Sequence, residues 1–155
     1  MRYALIRSMD TTNTDSIGVS LFVQGCHFHC KGCWNSDTWD FNGGKEFTDE
    51  VFNKLVELWK LPYVETFSVL GGEPLHLKNR DMVTKILSKF KELYPEKKTF
   101  LWTGFLYEDV KDLEIMEYVD VLIEGQYIEE LRNLNLELRG SENQRIFYLR
   151  EKSND

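Results

Sequence analysis

Ile17-Gly18-Val19-Ser20-Leu21-Phe22-Val23 runs, after Gln24 and Gly25, straight into Cys26-His27-Phe28-His29-Cys30-Lys31-Gly32-Cys33. The first stretch alternates and is rich in β-branched residues, which predicts a strand. All the cysteines of the chain, three in number, lie in the segment that follows it. A disulfide framework needs pairs spread along the chain, and one local pair with a spare thiol would staple almost nothing. The clustering points to metal instead. Thiolates are soft ligands, suited to iron–sulfur clusters and to zinc. Ordinary cluster sites use four cysteines. With three, one iron has no protein thiolate, and an open coordination position is a substrate position. Zinc stays open on spacing alone, because His27 or His29 could complete a Cys3His site. Two points weigh against it. A structural zinc ties separated segments together, and the site follows a strand rather than forming a small module.

Outward from this segment, strands and helices alternate. Asn42-Gly43-Gly44 is a turn signal. Thr48 caps a predicted helix whose apolar stripe is Phe52, Leu55, Val56 and Trp59, with Trp59 assigned to the core. Val64–Leu70 is a second strand and ends in Gly71-Gly72-Glu73-Pro74. A helix is predicted over Arg80–Leu93, with Met82, Val83, Ile86, Leu87 and Phe90 facing inward and Pro95 as its stop. Lys98–Trp102 is a third strand, closed by Thr103-Gly104. A helix over Asp109–Tyr118, a strand over Val119–Ile123 and a late strand over Arg145–Leu149 complete the pattern. The fold class is therefore α/β, with βαβ units and a mainly parallel sheet. Segments 24–35, 71–74 and 102–104 each follow a strand, so they gather at the sheet edge where such folds place ligands.

Alone, Gly71-Gly72-Glu73-Pro74 reads as a turn and a helix start. Two glycines also allow close backbone approach to a ligand, and the adjacent carboxylate can accept from an ammonium group. Lys and Arg number 19 against 26 Asp and Glu, for a net charge of −7, and 42% of residues are hydrophobic. Residues 1–155 are read as one domain with a real core, and the tail 151–155 is expected to fray. So acidic a chain is a poor match for phosphate backbones, so no nucleic acid is expected as partner. No stretch approaches the ~20 apolar residues of a membrane span, and the start has too short an apolar run for a signal segment. A cytoplasmic protein with no membrane partner is expected.

Taken together, these motifs resemble the radical S-adenosylmethionine superfamily: CxxxCxxC, followed about forty residues later by Gly-Gly-Glu-Pro. Within it the chain is similar to the activating proteins of anaerobic ribonucleoside-triphosphate reductase. The matching pieces are Phe22-Val-Gln-Gly-Cys26, Gly32-Cys33-Trp34-Asn35, Thr38-Trp-Asp-Phe-Asn-Gly-Gly44, Gly71–Pro74, Trp102-Thr-Gly104 and Gly140-Ser-Glu-Asn-Gln-Arg145. The resemblance implies a partial, open (βα) barrel. It implies a 4Fe-4S cluster on Cys26, Cys30 and Cys33, completed by S-adenosylmethionine. Gly32, Cys33 and Trp34 would line that cofactor, and Gly71, Gly72 and Glu73 would meet its ammonium, with Thr103 and Gly104 as further contacts. The 5′-deoxyadenosyl radical made there would take a hydrogen from a glycine on the large subunit of the reductase. A low-potential donor such as a flavodoxin would supply the electron. Activation of another glycyl radical enzyme, such as pyruvate formate-lyase, is the near alternative. A non-catalytic zinc module is the distant one. Many superfamily members carry an aromatic residue where Gly32 stands. Asn143, Gln144 and Arg145 match in type without an assigned role.

Overall fold

The computed structural model describes residues 1–150, and the tail expected to fray lies outside them. Strand β2 (Gly18–Val23) is buried at all six positions. It pairs in parallel with β4 (Thr66–Gly71), β4 with β5 (Lys98–Thr103), and β5 with β6 (Val121–Glu124). The crossovers carry α1 (Asp49–Trp59), α2 (Leu77–Leu93), and then a single turn α3 (Tyr107–Val110) with a 3-10 turn at Glu114–Tyr118. The crossovers step in one direction and share one hand, which stacks the helices on one face of the sheet.

The expected mainly parallel, partial (βα) barrel is not what forms. The sheet is open, mixed and seven-stranded, in the order β3-β1-β2-β4-β5-β6-β7. Three of its six pairings are antiparallel: β1 (Arg2–Asp10) with β2, β1 with β3 (Lys45–Glu46), and β6 with β7 (Arg145–Tyr148). The cause is connection length and content. Segment 11–17 is too short for a crossover helix, so the chain returns antiparallel. Segment 125–144 is long enough, but its leucines are broken by Asn133 and Asn135 and offer no helical stripe. The sequence reading also missed β1. Two register shifts break its alternation, and Leu5, Arg7 and Met9 are exposed.

The helix side holds the main core. Trp59 is fully buried and meets Phe67 and Phe90 edge-on, each at 5.0 Å between centroids. Thr48 caps α1 by accepting from the Val51 amide at 3.3 Å. Helix α2 begins three residues earlier than expected, because His76 Nδ1 accepts from the Lys78 amide at 3.1 Å and serves as the cap. Its stripe Val83, Ile86, Leu87 and Phe90 is buried, with Met82 only partly so. The expected helix over Asp109–Tyr118 is two pieces, because Leu113 between them is extended.

The other face is different. Phe100, Val121 and Ile123 form a small apolar cluster with Trp102, Leu138 and Ile146. Beside it the floor is polar, with Ser20 and Ser68 buried. Two loops roof this face: 11–17, and a strap over 125–144.

Candidate functional site

Parallel strands β2, β4, β5 and β6 end at the same edge, so their following loops meet there. They bound a cleft of about 340 Å³ that runs onto the roofed face. Cys26, Cys30, Cys33, Trp34, Gly71, Gly72, Glu73, Thr103 and Gly104 all line it. The expected convergence of three loops is therefore present. Gly32 does not line the cleft. It turns the chain at φ +75°, and a Cβ there would lie 2.6 Å from the Glu129 carboxylate.

The cysteine loop is held from below by the run that follows it. The Gly25 and Cys26 amides donate to the Thr38 and Trp39 carbonyls at 2.6 and 3.1 Å. Gln24 Nε2 donates to the Asp40 carbonyl at 2.8 Å. Arg2 donates to the carbonyls of Gly43 and Gly44 at 2.7 and 2.8 Å. Thr38–Gly44 is thus a cradle for the thiol-bearing loop. His29, at φ +49°, stacks on Trp39 at 4.6 Å, and His27 packs against Phe28 at 4.1 Å and His76 at 5.2 Å.

Gly71 and Gly72 do their first work inside the protein. A Cβ on Gly71 would lie 2.5 Å from the Val23 carbonyl oxygen, and one on Gly72 the same distance from that of Gly25. The pair lets β4 press against the start of the cysteine loop. Glu73 then points inward, with 1% of its surface exposed. Its carboxylate accepts from Thr103 Oγ1 at 2.6 Å, the Gly104 amide at 2.7 Å and the Leu75 amide at 2.9 Å. Burial drives its pKa up to about 7, against the pull of those three donors.

The three thiols are free and half-buried. Burial pushes Cys26 up to about 11 and raises Cys30 as well. A bound cation would reverse this and hold them as thiolates. The donor set, three soft thiols facing one cleft with no fourth cysteine in the chain, fits a cluster with one open iron. Among the described residues, no three Cys, His, Asp or Glu groups close around a point as a single ion requires. With the His29 ring stacked on Trp39 and the His27 ring packed at a tilt against Phe28 and His76, this does not favour the Cys3His zinc site.

The strap was not legible as part of the site, although Leu134-Asn-Leu-Glu-Leu138 alternates as a half-buried segment does. Leu134, Leu136, Leu138, Tyr127 and Arg139 all line the cleft. Asn143, Gln144 and Arg145 now have roles. Gln144 Oε1 accepts from the Gly140 and Ser141 amides at 2.8 and 3.1 Å, while its Nε2 donates to the Gly125 carbonyl at 2.9 Å. Asn143 donates to the Gln126 carbonyl at 2.8 Å. Arg145 grips buried Glu124 with two bonds of 2.9 Å and Glu108 with one of 2.8 Å. These residues staple both ends of the strap to β6.

Residues 14–147 match the family model described as a 4Fe-4S single cluster domain. Curated relatives align along nearly the whole chain. The anaerobic ribonucleoside-triphosphate reductase-activating protein of enterobacteria phage T4 is 39% identical over 147 residues, covering 95% of this chain and 94% of that protein. The protein of that name from Vibrio cholerae is 34% identical over 150 residues, covering 94% and 97%. The one from Escherichia coli K12 is 29% identical over 154 residues, covering 97% and 100%. Thiol loop, cradle, carboxylate and stapled strap thus sit in a chain that belongs to the family of anaerobic ribonucleoside-triphosphate reductase-activating proteins.

Proposed function

We propose that this chain is a cytoplasmic radical enzyme that cleaves S-adenosylmethionine reductively and installs a glycyl radical on the large subunit of an anaerobic ribonucleoside-triphosphate reductase. One observation carries the reading. The chain's three cysteines, half-buried on one loop, open onto the same cleft as Gly71, Gly72 and Glu73.

Cys26, Cys30 and Cys33 would hold a four-iron four-sulfur cluster. When bound, such a cluster supplies one low-potential electron to the sulfonium, delivered by a donor such as a flavodoxin. S-adenosylmethionine held in the cleft would supply the radical chemistry: its reductive cleavage would give methionine and a 5′-deoxyadenosyl group, which would end as 5′-deoxyadenosine by taking one hydrogen atom from a glycine Cα of the reductase. The protein's own part is orientation and exclusion of water. Glu73, fixed by Thr103, Gly104 and Leu75, sets a polarised wall for the methionyl ammonium. The half-exposed Trp34, which faces Tyr127 at 5.9 Å between centroids, offers an aromatic surface beside Cys33 for the adenine. The apolar strap limits water.

The test is to reconstitute the cluster without oxygen, reduce it, and add the reductase with S-adenosylmethionine. A glycyl radical signal in electron paramagnetic resonance is the expected result. A silent reductase, with the cluster intact and reduced, would defeat the proposal.

A further inference from the structure

A belt of side chains wraps the outside of the cysteine loop. Phe41 meets His76 at 4.5 Å between ring centroids, and His76 meets His27 at 5.2 Å. His27 in turn meets Phe28 at 4.1 Å and Phe105 at 5.6 Å. Lys78 Nζ lies 4.8 Å from the centroid of the Phe41 ring. Of these residues only Phe28 also lines the cleft. Leu77 and Leu106, the chain neighbours of His76 and Phe105, are 77% and 49% exposed. Apolar side chains left in water and flanked by polar ones mark a surface for another protein.

The charge of this surface runs against that of the chain, whose net charge is −7. The first turn of α2 holds no acidic residue. Lys78 and Arg80 form no ion pair among the described residues. Burial lowers the His76 pKa, and His27, Lys78 and Arg80 lower it further, so the field at that ring is cationic. Asp40 and Asp81 flank the belt, the one bonded to the Asn42 amide and the other in a separate groove with Thr84 and Lys85. An acidic partner is repelled by the chain as a whole and drawn to this place on it.

We propose that this belt is the docking surface for an acidic one-electron carrier protein, an inference that rests on the function proposed above. That function needs one electron from outside for each cleavage. The cleft side is taken by S-adenosylmethionine and by the glycine of the reductase, so the electron enters from another side. His27 follows Cys26 directly, which makes the belt the outer wall of the thiol-bearing loop. Electron transfer falls off steeply with distance, and a carrier seated here stands next to that loop without obstructing the cleft. In the step the carrier gives up one electron and is oxidised, and the group held by the three cysteines is reduced by one. No bond forms or breaks and no proton moves.

The experiment mixes cluster-loaded protein, without oxygen or reductase, with a reduced flavodoxin in one arm and with dithionite in the other. The reduced cluster is counted by electron paramagnetic resonance after freeze-quenching. Lys78→Glu is expected to slow reduction by the flavodoxin about tenfold or more at low salt, and the gap should narrow at high salt. Reduction by dithionite, which needs no docking, should stay within about twofold of the parent. Leu77→Asp, on a side chain already in water, should act in the same selective way. Equal slowing by both reductants would overturn the proposal and place the effect in the cluster site. Unchanged reduction by the flavodoxin in both variants would overturn it too, and weakened binding of the reductase or loss of a dimer alongside would assign the belt to that partner instead. A parent that the flavodoxin reduces but that leaves S-adenosylmethionine uncleaved defeats the radical reading, while the docking surface stands.

Discussion

The two faces of the sheet are built by different means. The helix face is closed by apolar side chains: Trp59, Phe67, Phe90, Leu87 and Ile86 are all fully buried. The cleft face has only a small apolar cluster around Phe100, Val121 and Ile123 and is otherwise closed by hydrogen bonds to loops. Glu73 ties β4 to the end of β5, Gln144 and Asn143 staple the strap, and Thr38–Gly44 cradles the cysteine loop. Packing tolerates small chemical variation at a modest cost, whereas a wired polar network depends on each donor and acceptor. The difference separates what holds the molecule together from what aims its reactive groups.

The largest expected effect lies on the helix face. Trp59→Ala should cost about 3–5 kcal/mol in denaturant unfolding of the cluster-free chain. Iron bound per folded molecule should not change. If it falls, the division between the faces does not hold.

On the cleft face, Glu73→Gln should cost about 1–3 kcal/mol, because an amide cannot accept from Leu75, Gly104 and Thr103 at once. Its pH signature sharpens the comparison. Burial raises Glu73 from an ordinary 4.5 to about 7, so the fold retains a proton that the unfolded chain releases. Its contribution is fully present below the unfolded value and is lost as pH rises from about 4.5 through about 7. In Glu73→Gln that slope should vanish, and a slope that persists would assign the effect to another group.

Gly72→Ala should cost about 1–3 kcal/mol, because the new Cβ would meet backbone rather than a yielding side chain. Unlike Trp59→Ala, it should also lower iron per folded molecule, since the displaced residue is Gly25, next to Cys26.

The smallest effect is at the far end of the same face, at Asp10. Burial pushes its carboxyl up, but donors from Ser20, Asn13 and Thr12 outweigh it and hold the pKa below the ordinary 3.8. Asp10 therefore stabilises the fold above its unfolded value, and that contribution is lost as pH falls through the lower folded one. Asp10→Asn should flatten the acid limb of stability against pH and leave the limb between pH 4.5 and 7 to Glu73.

The helix face was legible in the sequence because it rests on periodicity. Trp59 in the stripe of α1 and Val83, Ile86, Leu87 and Phe90 in that of α2 stand where the spacing put them. The cleft's polar members were legible as residue types only. Gly71 and Gly72 read as an approach to a ligand, yet their missing side chains first accommodate the carbonyls of Val23 and Gly25. Arg139 was missed because nothing local distinguishes it; it reaches the cleft wall only when the strap folds back. The mixed sheet was missed because β1 carries two register shifts and β7 is reached through an irregular segment. Strand direction depends on such connections, and no pattern within a strand encodes it.

One measurement bears most directly on the claim that the cleft face houses radical chemistry. Cluster-loaded protein, reduced without oxygen and given S-adenosylmethionine, should yield methionine and 5′-deoxyadenosine in equal amounts. Cys30→Ala, treated in the same way, should yield neither. An intact, reduced cluster that leaves S-adenosylmethionine uncleaved, with and without the reductase, would contradict it.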